Sequence, residues 1–345
     1  ASDIAAPGQS PVKIYPVFIP HAGCPHRCLF CAQDRSTNQL DVPSVNTVAR
    51  CLDAMLPKHG GGEIAFYGGT FSLLSIQQQQ LYLGVARDFI DAGRVAGIRI
   101  STRPDALDET CLARLRNEGV QTIEIGCQSF ADTILERAGR GHSAAQSSAA
   151  VERCRDAGFK VGIQLMPGLP GGDGGEAMSS LRRALELDPA FLRIYPTVVI
   201  AGTALAELWH AGSYCPWSLD ETVEICADML LLCRRYDVPV IRLGLQQDAN
   251  LGKNLLAGPF HPAFGQLVRS RIWRRALARV DILGQKLSGH PDDLSDVLGH
   301  RGENRSWLSN TSPDFSLQVD AAVARGGLRL ANRNLTLAEL TCPGG

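Results

Sequence analysis

Cys24, Cys28 and Cys31 stand within one eight-residue stretch, Cys24-Pro25-His26-Arg27-Cys28-Leu29-Phe30-Cys31. Iron–sulfur clusters are held by cysteine thiolates, usually four of them. Three thiolates from one short loop leave one iron without a protein ligand. An open metal position is where a substrate or cofactor can bind. Two plainer readings compete. A structural zinc wants four ligands, and His21 or His26 could supply the fourth. Three unrelated buried cysteines would act as small hydrophobes, although a Gly/Pro-flanked loop is an unusual place for them.

A loop that wraps a metal centre must leave a rigid element. Residues 14–20 read as a short buried strand running into the cysteines. Beyond them the hydrophobic spacing alternates between strand and helix. Strands are expected at 63–67, 97–101, 122–128, 160–166, 191–199 and 238–245, and helices at 45–56, 74–90, 107–118, 144–157, 176–187 and 220–236. Such alternation means βα units and a parallel sheet. Six units and a closing strand over roughly 230 residues predict an α/β fold, a partial (βα)6 TIM-type barrel that stays open because it has six units rather than eight. In parallel barrels the C-terminal ends of the strands carry the site. Polar and Gly-rich stretches follow the strands at 24–31, 68–71, 103–105 and 167–172, so they are expected to meet at one mouth.

Alternation along each strand then sorts side chains by face. Arg99, Ser101 and Arg103 share one face of the third strand, Glu124, Gly126 and Gln128 one face of the fourth, and Gly162, Gln164 and Met166 one face of the fifth. The opposite faces are apolar and suit the helix-covered outside, which makes Cys127 structural. A polar lumen is costly unless it is hydrogen-bonded to something. That something is either an internal network or a ligand, and a ligand is the expectation for Arg103, Glu124, Gln128 and Gln164, with Met166 on the same face. Gly68-Gly69-Thr70 lets a backbone approach a ligand without a Cβ in the way, or is simply a turn.

The Cys-x-x-x-Cys-x-x-Cys spacing resembles that of the radical S-adenosylmethionine (radical SAM) enzymes. The resemblance implies a 4Fe-4S cluster on Cys24, Cys28 and Cys31, with S-adenosylmethionine chelating the fourth iron through its amino and carboxylate groups. It implies Phe30 against the adenine, the backbone of Gly68, Gly69 and Thr70 at the methionine amino group, and Ser101, Arg103, Gln128 and Gln164 at the sugar or carboxylate. It also implies a one-electron reductant of the flavodoxin or ferredoxin type, and a 5′-deoxyadenosyl radical that abstracts hydrogen from a substrate. A closer likeness runs through residues 101–105, 124–129, 140–142, 156–160, 166–171 and 193–196, with Gly202-Thr203, Leu208-Trp209 and Gly212 in order. These segments look like the radical SAM domain of the elongator catalytic subunit and its bacterial relatives, over roughly residues 14–246. The residues that follow carry no Gly-rich acetyl-CoA loop, so the acetyltransferase domain of that subunit is not expected in them.

Composition sets outer bounds. The 345 residues are 45% hydrophobic and 20% charged, with a net charge of −1. That is globular composition, and it argues against a broad nucleic-acid surface. The sequence has no apolar run of membrane length and no signal-peptide pattern, so no membrane partner and a cytoplasmic location are expected. Eleven cysteines form no second close-spaced set, which suits a reducing compartment. The expected organisation is a flexible leader at 1–13, the partial barrel at 14–246 and an α+β extension at 247–345 that caps the barrel or selects substrate. Within the extension, residues 267–280 form an amphipathic helix with Arg269, Arg271, Arg274, Arg275 and Arg279, either a solvated face or a phosphate-contacting one. Residues 328–337 alternate as an edge strand or hairpin. His142, His261 and His300 could serve as acid–base groups but read as surface histidines. A small-molecule metabolite or biosynthetic intermediate is the expected substrate. A tRNA nucleoside is the alternative, and a non-catalytic cluster-binding protein the third possibility.

Overall fold

The computed structural model describes residues 12–25, 27–33, 41–246, 249–280, 286–312, 314–330, 333–337 and 339. Most of the expected leader and His26 lie outside them. Contacts divide the chain into two compact units. One holds residues 1–217 and 238–260, the other residues 218–237 and 261–345.

The first unit is built on a curled parallel sheet, β1 (Ile14–Phe18), β2 (Glu63–Tyr67), β3 (Gly97–Thr102), β4 (Val120–Gln128), β5 (Lys160–Leu165), β6 (Phe191–Ile194) and β8 (Val240–Leu243), paired in that order. The first and last strands remain unpaired to each other, so the barrel is partial, as the six-unit rhythm predicts. The sheet is α/β and half-barrel in form. Two helices begin in capping boxes. Ser75 with Gln78 and Ser143 with Gln146 make capping boxes at the helices Ile76–Asp91 and Ala144–Asp156, each satisfying two otherwise orphaned donors. The outward faces of the strands are apolar and buried, with Ile98, Ile100, Ile123, Ile125, Val161 and Ile163 all at 1% exposure or less.

Residues 191–199 were expected as one strand but divide in two. β6 ends at Ile194, and β7 (Val199–Ile200) pairs antiparallel with β9 (Leu255–Ala257). Pro196 lacks a backbone donor and cannot continue a ladder. The break turns the chain across the strand ends, where Thr197 N–H reaches the Pro167 carbonyl at 2.9 Å.

The second unit contains the helices Leu219–Arg235 and Phe264–Leu277 and a four-stranded sheet, β10 (Lys286–Gly289), β11 (Ser316–Val319), β12 (Gly327–Leu330) and β13 (Arg333–Thr336). β12 and β13 form the hairpin anticipated at 328–337. The helix Leu219–Arg235, placed in the barrel by sequence, belongs to this unit instead. Its acids explain why. Glu224 is bridged by Arg271 and Arg275, and Asp228 takes Arg275 Nη1 at 2.6 Å. Arg269 pairs with Asp296 at 2.5 Å, and Arg274 lies over the Trp307 ring at 5.2 Å. Among the described residues no helix is long and apolar enough to cross a membrane.

Candidate active site

A cavity of about 1070 Å³ runs through the first unit. Cys24, Cys28 and Cys31 line it together with Phe30, Gly68, Gly69, Thr70, Ser101, Arg103, Gln128, Gln164 and Met166. Of the site residues read from sequence, Glu124 alone does not. Five stretches far apart in the chain thus meet at one place.

The cysteine loop is fixed by backbone. Cys24 N–H donates to His21 O (3.1 Å) and Cys31 N–H to Cys28 O (3.0 Å). Leu29 is held from both sides, donating to Ala138 O at 3.1 Å and accepting from Leu205 N–H at 2.9 Å. The 68–71 turn locks into the same loop, since Thr70 N–H donates to Ala22 O at 2.7 Å and Thr70 Oγ1 lies 3.3 Å from Cys24 Sγ. Gly69 has φ +60°, and a Cβ there would stand 2.2 Å from Ala22 O. Only glycine permits that approach. Gln33 closes the arrangement, its Oε1 accepting from both His21 N–H (2.6 Å) and Gly69 N–H (2.8 Å). Sequence reasoning missed Gln33, although it stands only two residues beyond Cys31.

Beneath this rim lies a charged network. Glu124, fully buried, accepts from Arg99 Nη1 (2.6 Å) and Tyr67 Oη (2.9 Å) on Oε1, and from Gln164 Nε2 (3.0 Å) on Oε2. Arg193 Nε stands 2.9 Å from the same Oε2 as a charge contact. Arg99 Nε also reaches Glu63 (2.6 Å), and Arg193 Nη1 reaches Tyr195 Oη (3.0 Å). Burial first, then the Glu124 charge, raises the Tyr67 phenol well above its ordinary value, so it stays a donor. Glu124, expected from the sequence to meet a ligand, is engaged here by protein groups. Its acceptor sites are taken by protein, and its part is to hold Gln164 and Arg193. Two carboxylates and two guanidinium groups balance in this lumen, which is how a polar interior becomes affordable.

Arg103 lies bidentate on Asp105, 2.9 Å for each bond, and donates to Arg140 O at 2.5 Å. Arg140 in turn donates Nη1–H to Cys28 Sγ at 3.1 Å and Nη2–H to Gly126 O at 2.5 Å. That contact was not foreseen. Gly139 and Gly141, flanking Arg140 at φ +65° and +67°, were the available signal of a special turn. Gln128 ends β4 at φ +70° beside a register shift. A left-handed non-glycine residue held by its surroundings is a pointer to function. His142 is buried, correcting its reading as a surface group. Burial, then the Arg140 and Arg103 charges, push its imidazole down to about 4.

The residues fit the cluster and cofactor that the spacing implies. Burial drives the Cys31 thiol up to about 12, with the Cys28 and Cys24 sulfurs adding to it; burial likewise raises Cys24, against the Thr70 hydrogen bond. Such thiols resist ionising beside one another, and a bound cationic centre reverses that balance. Gln128 Oε1 and Arg140 Nε are buried without a hydrogen-bond partner, which leaves polar atoms at the cavity for a ligand. Among the described residues no three His, Cys, Asp or Glu side chains converge as a single metal ion requires. His26, one of the two histidines considered for a zinc site, lies outside the described residues.

Comparison with known proteins agrees with this geometry. Residues 18–184 match the radical SAM superfamily and residues 189–274 the radical SAM C-terminal domain. The tRNA uridine(34) acetyltransferase of Methanocaldococcus jannaschii is 28% identical over 259 residues, 63% of this chain and 48% of that protein. Elongator complex protein 3 of Mus musculus is 34% identical over 197 residues, 49% of this chain and 35% of that one. The chain spans about half the length of the acetyltransferase relatives it matches. The structure of archaeal Methanocaldococcus infernus Elp3 lacking residues 1–46 superposes with a TM-score of 0.61 at 22% identity, covering 78% of this chain and 64% of that one. Enzymes of this family use a 4Fe-4S cluster and S-adenosylmethionine. With its cysteine triad at the rim of a half-barrel, this chain belongs to the radical SAM superfamily.

Proposed function

We infer that the chain acts on a nucleoside of transfer RNA. The observation that carries this reading is its likeness to relatives named for tRNA uridine(34) chemistry. When bound, the cluster and S-adenosylmethionine supply a radical able to take a hydrogen atom from the substrate. The protein's part is placement. Cys24, Cys28 and Cys31 hold the metal, and Arg140 steadies Cys28. Phe30, Gly68, Gly69, Thr70, Ser101, Arg103, Gln128, Gln164 and Met166 wall the cofactor. The Glu124 network keeps Gln164 and Arg193 in register and water out of the lumen.

The test is anaerobic turnover with a one-electron reductant, S-adenosylmethionine and bulk tRNA. Formation of 5′-deoxyadenosine that depends on RNA, is lost after ribonuclease, and accompanies a mass change in a tRNA nucleoside supports the reading. Stimulation that survives ribonuclease and passes into a small-molecule filtrate supports a second reading, a metabolite substrate. That second reading draws on one observation. Arg269, Arg271 and Arg275 of the basic helix are engaged by carboxylates of their own unit, so the phosphate-contacting role considered for that helix lacks free guanidinium groups at those positions.

A further inference from the structure

We propose that Arg242, beside Arg193 at the open edge of the half-barrel, is an oxyanion subsite that takes a phosphate of the substrate. β6 and β8 pair in parallel, and Arg193 is the register partner of Arg242. Both line the cavity. Like charges directly opposite each other in a sheet are destabilising. Arg193 is compensated by Glu124 and spends its Nη groups on Tyr195 and Tyr67. Arg242 is not. Its Nε donates to the Gly244 carbonyl at 3.1 Å, and among the described residues its Nη groups meet no carboxylate.

The surroundings deepen the asymmetry. Five arginines and two lysines line the cavity, and among the described residues no aspartate or glutamate does. Arg99, Arg103 and Arg193 each have a carboxylate behind them, so among the lining arginines the uncompensated charge falls on Arg242 and on Arg140, which is turned to Cys28. A guanidinium fork presents paired donors that match an oxyanion. β8 is the terminal strand of the sheet, so Arg242 stands where the barrel fails to close and a polymer could approach. Phe18 and Tyr195 line the same cavity and offer aromatic surface beside which an unstacked base can lie. An aromatic wall next to an unpaired guanidinium suits a nucleotide, base inward and phosphate at the edge.

The proposal rests on the RNA reading only for the source of the phosphate. The experiment compares reconstituted wild type with Arg242→Gln and Arg242→Lys, titrating uridine, uridine 5′-monophosphate and a uridine-containing RNA stem-loop. Loss of one charge-assisted contact should weaken both phosphate-bearing probes about tenfold in Arg242→Gln. Arg242→Lys should be less affected, and affinity for uridine and S-adenosylmethionine should be unchanged. The salt slope for the stem-loop should fall by about one. If the monophosphate depends on Arg242 and the stem-loop binds no tighter, the subsite stands and the phosphate belongs to a free metabolite, which overturns the RNA reading alone. If both phosphate probes bind Arg242→Gln as they bind wild type, or neither binds wild type, the subsite is refuted.

Discussion

Glu124→Gln isolates the charge that balances the lumen. The substitution keeps shape and volume but removes one of two carboxylates facing Arg99 and Arg193. Arg99 keeps Glu63; Arg193 keeps no carboxylate. Both oxygens of Glu124 accept, from Arg99 and Tyr67 on one side and from Gln164 on the other. An amide can satisfy only one side, and its NH2 then meets donors. Removing one partner of a buried ion pair costs about 3–5 kcal/mol, and that loss is expected here in chemical denaturation followed by circular dichroism. Gln164→Ala, which removes one hydrogen bond and no charge, should cost about 1 kcal/mol. Adding Arg193→Gln to Glu124→Gln restores neutrality, so the pair should cost less than the sum, with a coupling of about 1.5 kcal/mol. A Glu124→Gln protein within about 1 kcal/mol of wild type, uncoupled to Arg193, would refute the claim that this network is closed within the protein.

Other outcomes follow from single positions. Gly69→Ala puts a Cβ against Ala22 backbone at positive φ, whereas Gly93→Ala, at φ +69° with nothing within 4 Å, meets strain alone. Gly93→Ala should cost about 1 kcal/mol and Gly69→Ala clearly more, with reduced iron content after reconstitution. Arg140→Met removes the donor to Cys28 Sγ; the midpoint potential of the reconstituted cluster, followed by EPR, should become more negative, with Arg140→Lys between the two. His142 ionises near 4 when folded, below its ordinary 6.5, so the unfolded chain binds its proton first. Its contribution is complete above pH 6.5 and is lost as pH falls from there towards about 4. His142→Gln should flatten the pH dependence of the denaturation midpoint across that window, and an unchanged slope would contradict the assignment.

Much of the barrel was legible because its signals are local. Continuous apolar strands, Gly-rich turns after them and the cysteine spacing each sit within ten residues or fewer. The cavity wall at Ser101, Gln128 and Gln164 followed from strand alternation alone. Glu124 did not, because alternation tells which face a side chain takes and not how deep it lies along the barrel. Whether a lumen carboxylate meets a ligand or a guanidinium depends on Arg99 and Arg193, which arrive from other strands. The contacts of Arg140 and Gln33 could not be read for a related reason. Each acts across long separations, 112 residues from Arg140 to Cys28 and 36 from Gln33 to Gly69. The helix Leu219–Arg235 was misassigned because its apolar period says that it packs but not against what.

Anaerobic reconstitution with iron and sulfide, read by EPR before and after S-adenosylmethionine, tests the central claim most directly. The account expects the signal of a reduced 4Fe-4S cluster that shifts when S-adenosylmethionine is added, and no cluster once Cys24, Cys28 and Cys31 are all replaced by alanine. A cluster that survives the triple substitution, or a spectrum indifferent to S-adenosylmethionine, would contradict it.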